Sequence, residues 1–244
     1  MNKIKPSHVS AFYNDFANKQ TRVGINHRHL SIIKWCVEFG LKTTHNVLEL
    51  GSGIGTVSEL LLRYLSSLGS LIVTDISEKN IKIAKKKLSR KYKNVSFLLG
   101  DVLKLKFSSK FDLVLLPDVL EHIPLEKHLK LFLKLKDCLS ENGFILIHIP
   151  DPSYQEWLMK NNSHEMQIID QAIHLKGLSQ IIEEAGLKIV FLKSYSIYNK
   201  GFEYQVLKVV HQIKSSYNLR QYPRSDSSFR RVKKVIKYLL RGFK

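Results

Sequence analysis

Cysteine is nearly absent: Cys36 and Cys138 are the only two in 244 residues. Two thiols are too few for a disulfide framework or a four-thiolate metal site. Both fall in helix-patterned segments, where a buried reduced thiol is the expected state. No apolar run approaches the roughly 18 residues that a membrane-spanning helix needs. The opening MNKIKPSHVSAFYND has no apolar core followed by a small-residue cleavage site, so no secretory signal is expected. No His/Cys/Asp cluster has metal-ligand spacing, and no bound metal is expected. These absences point to a reduced, cytoplasmic setting. The length suits one large domain with extra segments, or one domain with a small appendage.

Acidic residues are also scarce, at 21 against 39 Lys and Arg, for a formal net charge of +18. Residues 213–244 hold ten Lys or Arg against the single acid Asp226, which is half of the excess. The tail is therefore read separately from the body. Hydrophobic residues make up 44% and charged residues 25%, ordinary values for a soluble globular chain.

From about residue 46 to 150, strand-like and helix-like stretches alternate. Asn46–Leu50, Leu71–Thr74, Val95–Leu99, Phe111–Leu116 and Gly143–Ile149 read as strands. Thr56–Leu65, Ser77–Arg90 and Leu125–Leu139 carry apolar residues at helical spacing. This rhythm predicts right-handed crossovers and a doubly wound parallel sheet with helices on both faces. A helix over Arg28–Phe39 precedes the unit, within a cap over residues 1–40. After it come a helix over Leu175–Ala185, stopped by Gly186, and strands near Leu187–Ser194 and Glu203–Val210. The main domain is expected over 41–212.

At the first strand–helix junction stands Glu49-Leu50-Gly51-Ser52-Gly53-Ile54-Gly55. In open parallel sheets ligands bind beyond the carboxyl ends of the strands. Glycines there allow a tight turn and close approach of a ligand to the backbone. A dinucleotide site wants G-x-G-x-x-G, but here the register is G-x-G-x-G, with Thr56 where the last glycine belongs. Asp75 closes strand two, suited to ribose hydroxyls, and Asp101 follows strand three, suited to an adenine edge.

The runs VLELGSGIGT, VTDIS, GDVLKL and FDLVLLPDVLEHI together resemble class I S-adenosylmethionine-dependent methyltransferases over roughly residues 40–150. The resemblance implies a seven-stranded sheet whose last strand, Glu203–Val210, is antiparallel. It implies that S-adenosyl-L-methionine is the cofactor. Glu49, Gly51, Ser52, Gly53 and Gly55 would line its methionine end. Asp75 would hold the ribose, and Ile76 would pack on the adenine. Asp101 and Val102 would meet the adenine edge, and Pro117, Asp118 and His122 would line the reaction cleft.

In-line methyl transfer asks the protein mainly to position and desolvate, but a hydroxyl acceptor also needs a base. His122, His148 and His174 are the candidate catalytic residues, with His164 in the same insertion as His174. Tyr13, Gln20, Arg22 and His27 are candidate cofactor contacts from the cap. Position 116–119 reads Leu-Pro-Asp-Val, not the Asn/Asp-Pro-Pro-aromatic motif of enzymes that methylate exocyclic base amines. Neither cysteine lies where cytosine C5 chemistry needs a nucleophile. The run most resembles the small-molecule and quinone branch. The expected acceptor is an oxygen or carbon of a small or lipid-linked molecule. An RNA-binding or RNA-modifying protein, or a non-catalytic binder of the cofactor, is the alternative.

Phe229–Phe243 segregates on a helical wheel. Phe229, Val232, Val235, Ile236, Leu239, Leu240 and Phe243 fall on one side, with Arg and Lys opposite. Its apolar stripe suits the catalytic domain or an anionic membrane surface, and nucleic acid less well.

Overall fold

The computed structural model describes residues 24–162 and 169–212. The chain divides after Gln212. The expected linker and amphipathic helix of the tail therefore lie outside the described residues, as do Tyr13, Gln20, Arg22 and His164.

The order of elements is α1 (His27–Glu38), β1 (Asn46–Glu49), α2 (Thr56–Tyr64), β2 (Ser70–Asp75), α3 (Glu78–Leu88), β3 (Val95–Leu99) and β4 (Phe111–Pro117). Two 3-10 turns follow, Leu120–His122 and Leu125–Lys127. Then come α4 (His128–Cys138), β5 (Leu139–Pro150), α5 (Pro152–Asn161), α6 (Leu175–Glu184), β6 (Leu187–Tyr195) and β7 (Tyr204–His211). The strands form one seven-stranded sheet in the order β3-β2-β1-β4-β5-β7-β6. The pairs from β3 through β5 are parallel, and β7 runs antiparallel between β5 and β6. This is the class I methyltransferase architecture. Strand order reverses between β1 and β4, where a doubly wound sheet opens its ligand crevice.

The sheet is covered on both faces, which is why β4 reads as an almost unbroken apolar run. Leu113 and Leu115 face one core with Trp35, Leu61 and Ile81 from α1, α2 and α3. Val114 and Leu116 face the other with Phe132, Leu135, Leu178 and Ile182 from α4 and α6. The alternation follows the two-residue period of a strand. Truncating one of these buried leucines to Ala would cost about 2–5 kcal/mol.

Helix starts are written in polar caps. Asn26 and His29 form a capping box at α1, and the Ser77 side chain accepts the Asn80 N–H at α3. Asp151 caps α5, with Pro152 at its first position. That helix was not expected from the sequence, although its Asp-Pro start was visible.

Two expected elements differ in extent. The helix expected from Leu125 opens as a 3-10 turn and becomes α-helical only at His128. The reason is local: the buried His128 Nε2 lies 2.7 Å from Ile123 O and 3.2 Å from Leu120 O, fastening the turn beneath it. Strand β5 starts at Leu139, ahead of the expected Gly143, and its pairing with β4 is interrupted between Phe111 and Leu113. No helix among the described residues is long and apolar enough to cross a membrane.

Candidate active site

The site is assembled at the carboxyl ends of the parallel strands. After β1 the chain makes a turn in which Gly51, Gly53 and Gly55 have φ of 63°, 55° and 77°, a region that favours glycine. The Ser52 N–H donates to Thr74 O at 2.9 Å, tying the turn to β2. Gly55 then caps α2.

Two buried carboxyl groups flank the turn. Asp75 accepts from the Gly53 N–H and the Ser77 N–H, each at 2.8 Å, and from Asn80 Nδ2 at 3.3 Å. Burial raises its pKa to about 6, against the pull of these donors. Glu49 is fully buried. Ser58 Oγ donates to its Oε2, while its Oε1 has no hydrogen-bond partner. Burial pushes Glu49 up to about 8, with the Ser58 bond opposing.

These features fit S-adenosyl-L-methionine. The unpartnered Glu49 Oε1 is a ready acceptor for the ammonium of a methionine moiety, because an orphaned buried acceptor is costly until paired. A Cβ on Gly51 would come within 2.4 Å of Val119 Cγ2, so only a bare backbone passes there. Ribose hydroxyls would meet Asp75 in place of some of its present donors. Ile76 follows it, half-buried. Asp101 accepts the Leu103 N–H at 2.9 Å, and Val102 packs against the core beside it. Ser52 is buried within the turn.

A second group of residues meets beyond β4 and β5. Pro117 ends β4, and Asp118 follows with φ 55°, the one non-glycine residue with positive φ among those described. Its N–H donates to His148 O at 2.8 Å. The Asp118 carboxylate joins two cation-forming groups: Arg28 Nη1 donates to Oδ2, and His148 Nδ1 lies against Oδ1, both at 2.5 Å. Burial works against its charge, but Arg28 and then His148 outweigh it and hold the carboxyl at about 2. His148 is fully buried. Its Nε2 lies 2.7 Å from Tyr195 Oη, and its ring stacks on Tyr204 at 5.0 Å. Burial pushes the Tyr195 phenol up to about 12. Tyr195 Oη is 3.0 Å from Ser31 Oγ on α1.

His122 occupies a different cluster. Its Nδ1 lies 2.7 Å from Ile169 O and 3.0 Å from Asp170 Oδ1, and its Nε2 is 3.8 Å from Glu121 Oε1. Burial disfavours the imidazolium, but Glu121 and Asp170 outweigh it and raise the pKa to about 9. Burial likewise pushes Glu121 up to about 8, against the attraction of His122. His174 precedes α6 and pairs with Glu156 at 2.8 Å on the surface. His27 is the exposed first residue of α1. The structure thus brings Asp118 and His148, both named from the sequence, together with Arg28 and Tyr195, which were not, and sets Glu121 beside His122. Arg28 directly follows His27, one of the expected cap contacts.

Residues 47–143 match a family described as a methyltransferase domain. The chain is 27% identical over 115 residues to (S)-coclaurine N-methyltransferase of Thalictrum flavum subsp. glaucum. That alignment covers 46% of this chain and only 31% of the plant protein. Among solved structures, the magnesium protoporphyrin IX methyltransferase of Synechocystis PCC 6803, with bound SAH, superposes with a TM-score of 0.68 at 20% identity. The superposition covers 85% of this chain and all of that one. An S-adenosylmethionine-dependent methyltransferase of Clostridium acetobutylicum ATCC 824 gives 0.65 at 18% identity, covering 82% and 98%. Residues 47–143 thus match a methyltransferase domain, on a fold shared with S-adenosylmethionine-dependent methyltransferases.

Proposed function

We propose that the protein transfers a methyl group from S-adenosyl-L-methionine to an oxygen of a small or lipid-linked acceptor. The observation that carries this reading is the Asp118–His148 pair, with its imidazole fully buried, beside the glycine turn. A base oriented by a carboxylate is what a hydroxyl acceptor requires. The cofactor supplies a sulfonium-bound methyl group, an electrophile needing no further activation. Gly51, Gly53, Glu49 and Asp75 would hold it, and Arg28 fixes Asp118. The test is transfer of radiolabelled methyl to hydroxyl compounds. His148→Gln should abolish transfer while S-adenosylhomocysteine still binds by calorimetry. Full transfer by that variant would remove His148 from the chemistry.

An amine acceptor is the second reading. It is supported by the name of the plant relative and by the buried Glu121, whose Oε2 lacks a hydrogen-bond partner. Transfer to amines with no transfer to hydroxyls would favour it.

The sequence of 229–243, basic on one side and apolar on the other, supports peripheral contact with anionic lipid. Loss of sedimentation with phosphatidylglycerol vesicles on deleting Phe229–Lys244, with cofactor binding retained, is the expected result. Equal sedimentation of both proteins would remove this reading.

A further inference from the structure

The edge of the sheet that carries the Asp118–His148 pair also presents three large aromatic side chains to water. Strand β5 ends at Pro150 and leads into α5, and β7 starts at Tyr204, directly opposite Pro150. Tyr195, the end of β6, lies opposite Tyr204 as well. Helix α5 and the 196–203 turn therefore leave from one edge, the edge at which Pro117 and His148 pair. Trp157 of α5 is 54% exposed, and Tyr198 and Phe202 of the turn are 53% and 64% exposed. Single exposed apolar residues are ordinary, but several at one edge mark a contact surface.

The rings of the turn are braced from beneath. The buried Glu203 carboxylate accepts the N–H groups of Ile197, Tyr198 and Asn199 on Oε2, at 2.8, 2.6 and 3.1 Å. Its Oε1 accepts Asn199 Nδ2 at 2.6 Å, and Ser196 Oγ donates to Gly201 O across the turn. The Asp151 N–H donates to Glu203 O at 2.8 Å. The Asp151 carboxylate accepts Ser194 Oγ and Gln205 Nε2, which ties the start of α5 to the same hairpin. On α5, Tyr154, Trp157 and Lys160 recur every three residues and so share one side. The Tyr154 and Trp157 rings stack with centroids 6.3 Å apart. Tyr198 Oη accepts the Arg28 N–H at 3.4 Å, so the turn reaches the residue that holds Asp118.

The exposed charge of residues 151–161 and 196–203 is positive. Lys160 and Lys200 are exposed. Of the three acids, Asp151 and Glu203 are buried in the hydrogen bonds just described, and Glu156 is paired with His174 at 2.8 Å. Tryptophan and tyrosine rings set among lysines are the chemistry of a bilayer interface. There the rings sit at the level of the headgroups, and the ammonium groups meet anionic lipid.

We propose that α5 and the 196–203 turn form a docking rim for an anionic lipid bilayer, with Trp157, Tyr198 and Phe202 entering the headgroup layer. This rests on the lipid-linked acceptor of the reading above, and makes the bilayer the place from which that acceptor enters. It does not depend on residues 229–243.

Trp157 reports on its own insertion. The chain has two tryptophans, and the other, Trp35, is only 7% exposed. Full-length protein is mixed with vesicles of phosphatidylcholine and phosphatidylglycerol, with and without bromine on the acyl chains. The expected result is a blue shift of tryptophan emission and quenching by the brominated lipid, both absent in Trp157→Phe. Phe202→Ser should lower the ratio of bound to free protein in vesicle sedimentation by about tenfold, the scale of leaving a large apolar side chain in water. Binding of S-adenosylhomocysteine by calorimetry checks that both variants are folded.

Sedimentation of the parent with no change in its tryptophan emission overturns the rim and leaves the contact to 229–243. Unaltered sedimentation of a folded Phe202→Ser overturns it as well. Emission that shifts with protein concentration alone, without lipid, would give the surface to a second copy of the chain and likewise overturn the proposal. Failure of the parent to bind S-adenosylhomocysteine would instead strike the methyltransferase reading, and Trp157 emission would still decide the rim.

Discussion

Gly51 and Val119 face each other so closely that a Cβ on the glycine would stand 2.4 Å from Val119 Cγ2. Gly51 also has φ 63°, where a side chain costs about 1–2 kcal/mol. Gly51→Ala is therefore expected to lower the melting temperature by roughly 2–8 °C and to weaken S-adenosylhomocysteine binding. Gly177→Ala is the contrast, because a Cβ there meets nothing within 4 Å and the residue is inside α6. It should stabilise by about 0.5–1 kcal/mol. Equal effects of the two changes in thermal unfolding would contradict the packing described.

Asp75 is expected to carry a large share of cofactor affinity. Asp75→Ala should weaken S-adenosylhomocysteine binding by roughly 1.5–3 kcal/mol, the scale of hydrogen bonds to a charged group. Calorimetry on the folded variant checks this, and unchanged affinity would leave Asp75 as a residue that only organises the turn.

Glu49 should give up a proton when the cofactor binds. Burial has raised its pKa to about 8, so at pH 7 it is mostly protonated in the free protein. An ammonium beside its unpartnered oxygen favours the carboxylate, lowers the pKa and releases the proton. Binding enthalpies measured at pH 7 in buffers of different ionisation heat should reveal that release. Glu49→Gln should abolish it. The same raised pKa bears on stability. Glu49 stabilises the free fold fully below its ordinary pKa near 4.5, and this contribution is lost as pH rises through about 8.

The His122 cluster is expected to act through stability. A histidine held at about 9 contributes fully below its ordinary value of 6.5, and the contribution fades as pH rises through 9. Glu121, raised to about 8, changes in the same direction. Unfolding free energy from urea titrations should therefore fall between pH 6.5 and 9. His122→Ala should destabilise by about 3–5 kcal/mol near pH 7 and flatten this pH dependence. A variant as stable as the parent would show that the cluster is not held together by charge.

The sheet was legible because its signals are local. Each of the first five strands ends at or just before a glycine or a carboxylate, and Leu113 to Leu116 alternate between two cores as the two-residue period requires. The glycine turn was legible for the same reason, since consecutive residues form it, and Asp75 because it closes a strand. The Arg28–Asp118–His148–Tyr195 group was not. Its members come from α1, the end of β4, β5 and β6, and successive contacts span 90, 30 and 47 residues. Nothing along the chain marks Tyr195 among ten tyrosines. It reaches His148 only because β7 lies between β5 and β6 and brings Tyr195 opposite Tyr204 at the same edge.

The placement of β7 also sets when the fold can be completed. It is the last described strand along the chain, yet it lies inside the sheet, paired on both sides with β5 and β6. During synthesis β1 to β5 can pair in turn, but β6 has no neighbour until Tyr204–His211 has been made. Until then the edge of β5 stands open, with a row of unsatisfied backbone groups that could template pairing between nascent chains. Nonsense or frameshift products ending before residue 204 should accordingly be prone to aggregation and proteolysis, rather than persist as partly active fragments.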